Sequence, residues 1–313
     1  MPNLFFTLSN ATYDQVTEIF DFLWPTAAGM WNLRWQVRGY VETVPNATNQ
    51  DLSNRFIHGS NIHGANLKRA CIEHSWEQQE AQLSKFLLVN IFAIYESWLK
   101  ELLDDIGVSK YEKALQFPTA PSGSNGVIHA VSAITTTKSQ MIQQSFYPSL
   151  TRSKKYSWSK IDNLMKCYRY FKECRNCLMH NGGLADEKLE RAYQEFTTVA
   201  TEAGLGVKEV PIHNLTTKNQ PVKIYLRGVV GFCDVILRII TTLDAEMAQA
   251  KSAEREIFRR WTAKYGSKQQ TIKSVNPVAR QKQLVSLAHN IGYPRTTYSI
   301  ELESYLLSQS LVI

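Results

Sequence analysis

The chain lacks several features that would assign it quickly to a class. No run approaches the ~18 uninterrupted apolar residues that a membrane-spanning helix needs; the richest stretch, Phe86 to Tyr95, is interrupted by Asn90. The opening MPNLFFTLSN has neither the basic start nor the long apolar centre of a secretory signal. Cysteine is scarce: Cys71, Cys167, Cys174, Cys177 and Cys233 make an odd, scattered set that suggests no disulfide framework. These absences point to a soluble protein of a reducing, cytoplasmic compartment, in which the sequons at Asn10, Asn46 and Asn214 carry no glycan. Internal repeats and low-complexity tracts are missing as well, as are ATPase, protease and nucleotidyltransferase motifs.

What is present is an ordinary globular composition, 44% hydrophobic and 20% charged over 313 residues. The length exceeds a usual single core, so one elaborated domain with appendages is expected. The net charge of +7 is concentrated. Residues 251 to 282 hold nine Lys or Arg against Glu254 and Glu256, a surplus that suits either a polyanion such as RNA or a solvated helix face.

The hydrophobic period is helical almost throughout. Thr12 to Val44 reads as two helices parted at Trp24-Pro25, since proline tends to end one helix and begin another. Phe20, Phe22, Trp24, Trp31 and Trp35 are expected to seed a local core there. Residues 45 to 64 read as an irregular connection. A long helix, or two in series, spans 65 to 106 with Gly107 as its stop. A loop follows at Gln116 to Ser124, then a weak helix from Val127 to Gln144, ending before Pro148.

The helix from Ser159 to Asn181, closed by Gly182-Gly183, is the most informative. At ~100° per residue, Leu164, Cys167, Phe171, Cys174 and Leu178 form an apolar stripe. Arg169, Lys172, Asn176 and His180 lie roughly opposite, with Arg175 between. A further helix covers Asp186 to Ala203. Val207 to His213 and Val222 to Tyr225 have strand character around a hairpin at Thr216 to Gln220. A strongly apolar helix then runs from Leu226 to Ala248, with short helices expected at Gln281 to His289 and Ile300 to Gln309.

Within FKECRNCLMHNGG, Phe171 to Gly183, stands R-N-x-x-x-H. Metal-free RNA cleavage needs the 2′-hydroxyl deprotonated, the leaving oxygen protonated and the phosphorane charge offset. An imidazole suits the proton transfers and a guanidinium fork the phosphate. Asn176 and His180 stand one turn apart on one face, so the amide can orient the imidazole or a phosphate oxygen. Arg175 lies ~140° from His180 around the axis, so one helix supplies an incomplete site.

The motif, the preceding IYESWLKELL (Ile94 to Leu103), and the following helix, excursion and apolar helix ending TTLDAEM resemble the core of HEPN domains over about residues 65 to 250. The resemblance implies a mainly α, HEPN-like helical bundle with a small β-hairpin excursion, a helical N-terminal extension (1–64) and a basic C-terminal extension (251–313). It implies a metal-independent endoribonuclease of the toxin or anti-phage class that leaves 2′,3′-cyclic phosphates. His180 would be the acid/base and Arg175 the phosphate stabiliser, in a cleft shared by two copies of the chain. Glu96, in the YESWL run, is the candidate acidic residue from the earlier helix. Toxins paired with a nucleotidyltransferase antitoxin usually continue the histidine as H-x-Y; here Asn181 and Gly182 follow, so control through that tyrosine is not implied and a regulator would be a separate polypeptide or lie within the extensions.

Residues 152 to 175 add a basic segment interleaved with aromatics, from which Lys166, Tyr168, Arg169 and Lys172 are the candidate RNA contacts. Two metal readings are weaker. Cys174-x-x-Cys177 with His180 lacks a second ligand pair, and His58 and His63 stand alone in a loop, so no metal and no cofactor is expected. Two readings from other classes remain: a catalytically silent HEPN module that binds RNA, a nucleotide or a partner protein, and an interaction scaffold.

Overall fold

The structure, a computed structural model, describes residues 4–293 and 296–313; the first three residues of the opening segment lie outside them. It is all-α, 67% helix, and none of the described residues lies in a strand. In chain order come α1 (Thr7–Thr43), α2 (Asn49–Phe56), α3 (Trp76–Ile106), α4 (Val127–Ile134), α5 (Gln140–Ser145) and α6 (Tyr147–Leu150). They are followed by α7 (Ile161–His180), α8 (Glu187–Thr197), α9 (Glu202–Leu205) and α10 (Leu226–Ala248). The chain closes with α11 (Glu254–Tyr265), α12 (Pro277–Asn290) and α13 (Ile300–Ser308). No helix among the described residues is long and apolar enough to cross a membrane.

Local chemistry sets most of the ends. Ser75 accepts the Gln78 N–H, and the Gln78 side chain accepts the Ser75 N–H, a reciprocal cap that starts α3 after a short π-helical turn at Arg69–Glu73. Gly107 ends α3 with φ 76°, a left-handed position that glycine adopts without strain. Thr48 and Asp51 make a second reciprocal cap, which gives residues 45 to 64 a helix where an irregular connection was expected.

The helices α3, α7 and α10 pack on one another, α1 lies along α3 and against α10, and α8 covers α7. Rings from the three central helices meet at the middle: Phe171 stacks on Phe232 at 4.5 Å, and Phe92 touches Phe232 at 5.2 Å and Tyr168 at 5.3 Å. The main core also takes residues from both ends of the chain, including Leu4, Phe5 and Phe6 and, near the other end, Leu306 of α13 and Val312. A separate small cluster, Val37, Ala47, Leu52, Leu67 and Cys71, holds the far half of α1 to α2.

Three further expectations are corrected. First, α1 runs through Pro25 as one helix of 37 residues. Pro25 and Asp21, whose carbonyl loses its donor, are both exposed; water can satisfy that carbonyl, while Leu23 stays buried against the core. Second, the five aromatics do not form a core of their own: Phe20 packs against the main core, while Phe22 is 57% exposed, Trp24 49%, Trp31 40% and Trp35 57%. Third, the hairpin is missing. Backbone groups at 219 to 222 bond instead to the turn after α7, with Val222 N–H to the Gly183 carbonyl at 2.8 Å and Ala185 N–H to the Gln220 carbonyl at 2.9 Å. The other half-strand lies on α10: a Cβ added at Gly228 would come within 2.3 Å of the Ile212 carbonyl oxygen, and one at Gly231 within 3.1 Å of Pro211. Pro211 and Pro221 also have no N–H to give a ladder.

The ends of the fold are joined by buried carboxylates. Asp244 of α10 accepts the Phe5 and Phe6 N–H groups at 2.7 and 3.1 Å. Glu256 of α11 accepts the Thr7 N–H at 2.7 Å and pairs with Arg260 at 2.9 Å. Arg260 in turn donates to the Phe5 carbonyl at 2.7 Å. The basic surplus of residues 251 to 282 is offset only in part: Arg259 pairs with Asp105 and Arg280 with Glu303, both outside that stretch, while Lys251 and Arg260 pair with its own Glu254 and Glu256.

Burial pushes the Asp244 carboxyl up to about 6, against the N–H bonds from Phe5 and Phe6 that favour its charged form. An unfolded aspartate titrates near ~3.9. The folded state therefore holds this proton more tightly, and the stability it contributes is complete below ~4 and lost as pH rises through 6, by about 3 kcal/mol. Other carboxylates titrate in the same window, so the measurable quantity is the difference between wild type and Asp244→Asn in denaturant melts. Between pH 4 and 7 the wild type should lose stability relative to the variant; a constant difference would contradict the assignment.

Candidate functional site

α7 carries the motif on a helix whose rotation is set by its apolar face. Leu164, Cys167 and Cys174 are fully buried, Phe171 is 1% exposed, and Leu178 packs at the edge. Burial holds the thiols of Cys167 and Cys174 well above the usual range, and Cys177 shifts the same way. The two cysteines of the C-x-x-C are thus core residues, whereas His180 is exposed. His58 and His63 are exposed in their loop. Among the described residues no three His, Cys, Asp or Glu side chains gather as a metal-holding group.

The residues singled out from the sequence separate into distinct groups. Arg175 turns toward α3, where its Nη2 donates to both oxygens of Glu96 at 3.0 and 3.1 Å and its guanidinium lies 5.3 Å from the centre of the Phe92 ring. Its Nε is buried with no partner. Lys172, one turn back, reaches the same carboxylate at 2.9 Å. Glu96 thus sits between two cations, all three side chains being partly buried. Glu96, the candidate acid from the earlier helix, therefore directly touches Arg175.

A second acid, which the sequence did not single out, organises the adjoining face. Glu173 is 4% exposed, pairs with Arg169 and accepts the Asn176 amide N–H at 3.1 Å. The spacing of four to Arg169 and three to Asn176 is the available signal. Arg169 is also held over the Phe117 ring at 4.2 Å. Asn176 is in this way directed to Glu173 within its own helix. His180 stands apart from both groups, exposed at the last residue of α7, beside exposed Met179 and Asn181. Gly182 and Gly183, at φ 59° and 78°, turn the chain back so that the Gly183 N–H bonds the Cys177 carbonyl at 3.0 Å.

Between the 113–121 loop, α7 and α8 lies an open groove of about 1000 Å³. Its walls carry Lys113, Lys166, Arg169, Lys172, Lys188 and Arg191 against Glu173 and Glu195, with Asn176 at its edge. Three candidate RNA contacts, Lys166, Arg169 and Lys172, share this groove, and the fold adds Lys113, Lys188 and Arg191. Lys188 and Arg191 are three apart on α8, but nothing in the sequence says which helix that face meets. The fourth candidate, Tyr168, is corrected: it is fully buried, with its ring 5.1 Å from Tyr95 and 5.3 Å from Phe92, so it cannot stack on a base.

Compared with known proteins, the chain matches no family model, no curated protein and no solved structure.

The Tyr168 ring works as core. Tyr168→Ala should lower unfolding stability by about 3–5 kcal/mol, measured by denaturant melts. A variant of wild-type stability with weakened RNA retention would reverse this placement.

Proposed function

We propose that the chain is a HEPN-type, metal-independent endoribonuclease that acts as a homodimer in the cytoplasm. The observation that carries this reading is the division of α7: R-N-x-x-x-H on one helix, its histidine exposed at the end and its basic flank opening into a groove of six cations. A groove of that charge suits the backbone of single-stranded RNA. Phe117 and the prolines beside it provide an apolar wall for bases.

In the reaction, His180 takes the proton of the 2′-hydroxyl. That oxygen attacks the adjacent phosphorus, and the bond to the 5′ oxygen breaks. The products are a 2′,3′-cyclic phosphate and a 5′-hydroxyl end, with the leaving oxygen protonated by the imidazolium form of a histidine. A guanidinium offsets the phosphorane charge. Arg175 faces α3 whereas His180 faces outward, so the reading requires a second copy to bring an Arg175 and a His180 to one phosphate. Met179, 54% exposed, and Leu184, 43% exposed, flank the end of α7 and provide an apolar surface for that pairing. By the resemblance, the biological role is a toxin or anti-phage effector that halts growth by cutting RNA, held in check by a separate regulator. One observation favours a second reading, a silent HEPN module that binds RNA: the Glu96 carboxylate already occupies Arg175.

Incubating purified chain with total RNA and mapping product ends decides between the two. Cleavage with cyclic phosphate ends should persist in chelator and fall by at least ~100-fold in His180→Ala and Arg175→Ala. Met179→Glu should separate the copies and silence the cut. Retention of RNA without cleavage would favour the binder, and neither activity would defeat both readings. In the groove, replacing Lys166, Lys188 and Arg191 together by alanine should reduce the slope of log affinity against log salt by about 2 for a single strand; an unchanged slope would place RNA elsewhere.

A further inference from the structure

The far half of α1 presents aromatic rings to solvent in an ordered row. At ~100° per residue, Trp24, Ala28, Trp31, Trp35 and Gly39 fall within an arc of about 80°, at steps of four, three, four and four. All five are exposed. From Phe22 to Leu33 the helix bears no charge. The rings are already ordered by neighbours: Trp24 stacks on Phe20 at 5.9 Å, and Trp31 meets Trp35 at 5.8 Å and Trp76 at 5.0 Å. Holding large rings rigid and half-exposed suits an interface, because little side-chain freedom is left to lose on binding.

The three-and-four spacing is that of a seam for another helix. The order of sizes says which one. Reversed end to end about a point beside Trp31, the row matches itself: Trp24 falls opposite Gly39 of the partner subunit, Ala28 opposite Trp35 of the partner subunit, and the two Trp31 rings meet near the axis. Each outer layer then pairs one ring with one gap. A Cβ at Gly39 would touch nothing within 4 Å in the single chain, so the gap is open. A lipid surface or an unrelated helix has no use for that order, whereas a two-fold pair of identical helices does.

We propose that this face of α1 is an antiparallel self-association seam between two copies of the chain, separate from the pairing at the end of α7. The seam is ~30 Å long on a helix ~10–12 Å wide. It falls short of the ~800 Å² per partner of a standard interface, so association is in the micromolar range. The same register sets exposed Asp21 against Glu42 of the partner subunit, a like-charge contact at each end.

The test is sedimentation equilibrium of the full chain carrying Met179→Glu, which removes the other pairing, with a thermal melt of each variant as a check of folding. In that background the chain should still dimerise at micromolar concentration. Trp35→Glu and Gly39→Gln should each raise the dissociation constant by roughly tenfold or more. Gly39→Gln is the discriminating variant: it favours the isolated helix and harms only an occupant that fills the gap. Asp21→Lys should tighten the pair. A monomer throughout the concentration range, a dimer indifferent to Gly39→Gln or to Asp21→Lys, or a monomer that instead sediments with phosphatidylcholine–phosphatidylglycerol vesicles would overturn the proposal.

Discussion

The stacking of Phe171 on Phe232, with Phe92 closing the third side, governs the rest of the molecule because it sets how far α7 is turned about its own axis. A helix buried on one stripe has its other directions decided at the same moment. With Phe171 inward, Arg175 points along the seam with α3, where Glu96 waits, and His180 points to solvent. A rotation of even one residue's ~100° would bury the lysines or expose the cysteines, and core packing does not tolerate either.

Two carboxylates then discipline a helix rich in cations. Glu96 comes from α3 and binds Arg175 and Lys172; Glu173 comes from α7 itself and binds Arg169 and Asn176. Partly buried pairs of this kind add little net stability, since desolvation offsets most of the attraction. Their effect is orientation. They hold Arg169 and Lys172 in one geometry along the groove, and Arg175 against α3, where unpaired side chains would sample many. The groove therefore combines pinned cations on α7 with freer ones on α8 and the 113–121 loop.

How much was legible beforehand follows the range of the interactions. Elements specified by near neighbours read well: Leu226–Ala248 and the stop at Gly107 match the helix they were assigned, and the ends of α7 differ by one or two residues. Failures came where a distant contact overrode a local tendency. Pro25 lies inside α1 because the Asp21 carbonyl that it leaves without a donor is exposed to water while the buried face is held by the core. The segment from 207 to 225 has strand-like residues, yet its hydrogen bonds go to the turn after α7 and its backbone nestles on Gly228 and Gly231. The tryptophans of α1 have the size and apolarity of core residues, yet the helix turns Trp24, Trp31 and Trp35 toward solvent.

The sequence by itself determined the helical class and the two faces of α7, since these depend on spacing of a few residues along one regular helix. Only the tertiary structure decided that Glu96 meets Arg175, that Tyr168 is buried, that Glu173 is the second acid and that α8 completes a basic groove. Those outcomes depend on which helices pack and at what rotation, and that choice is made by the summed burial of many apolar side chains, which no local pattern encodes.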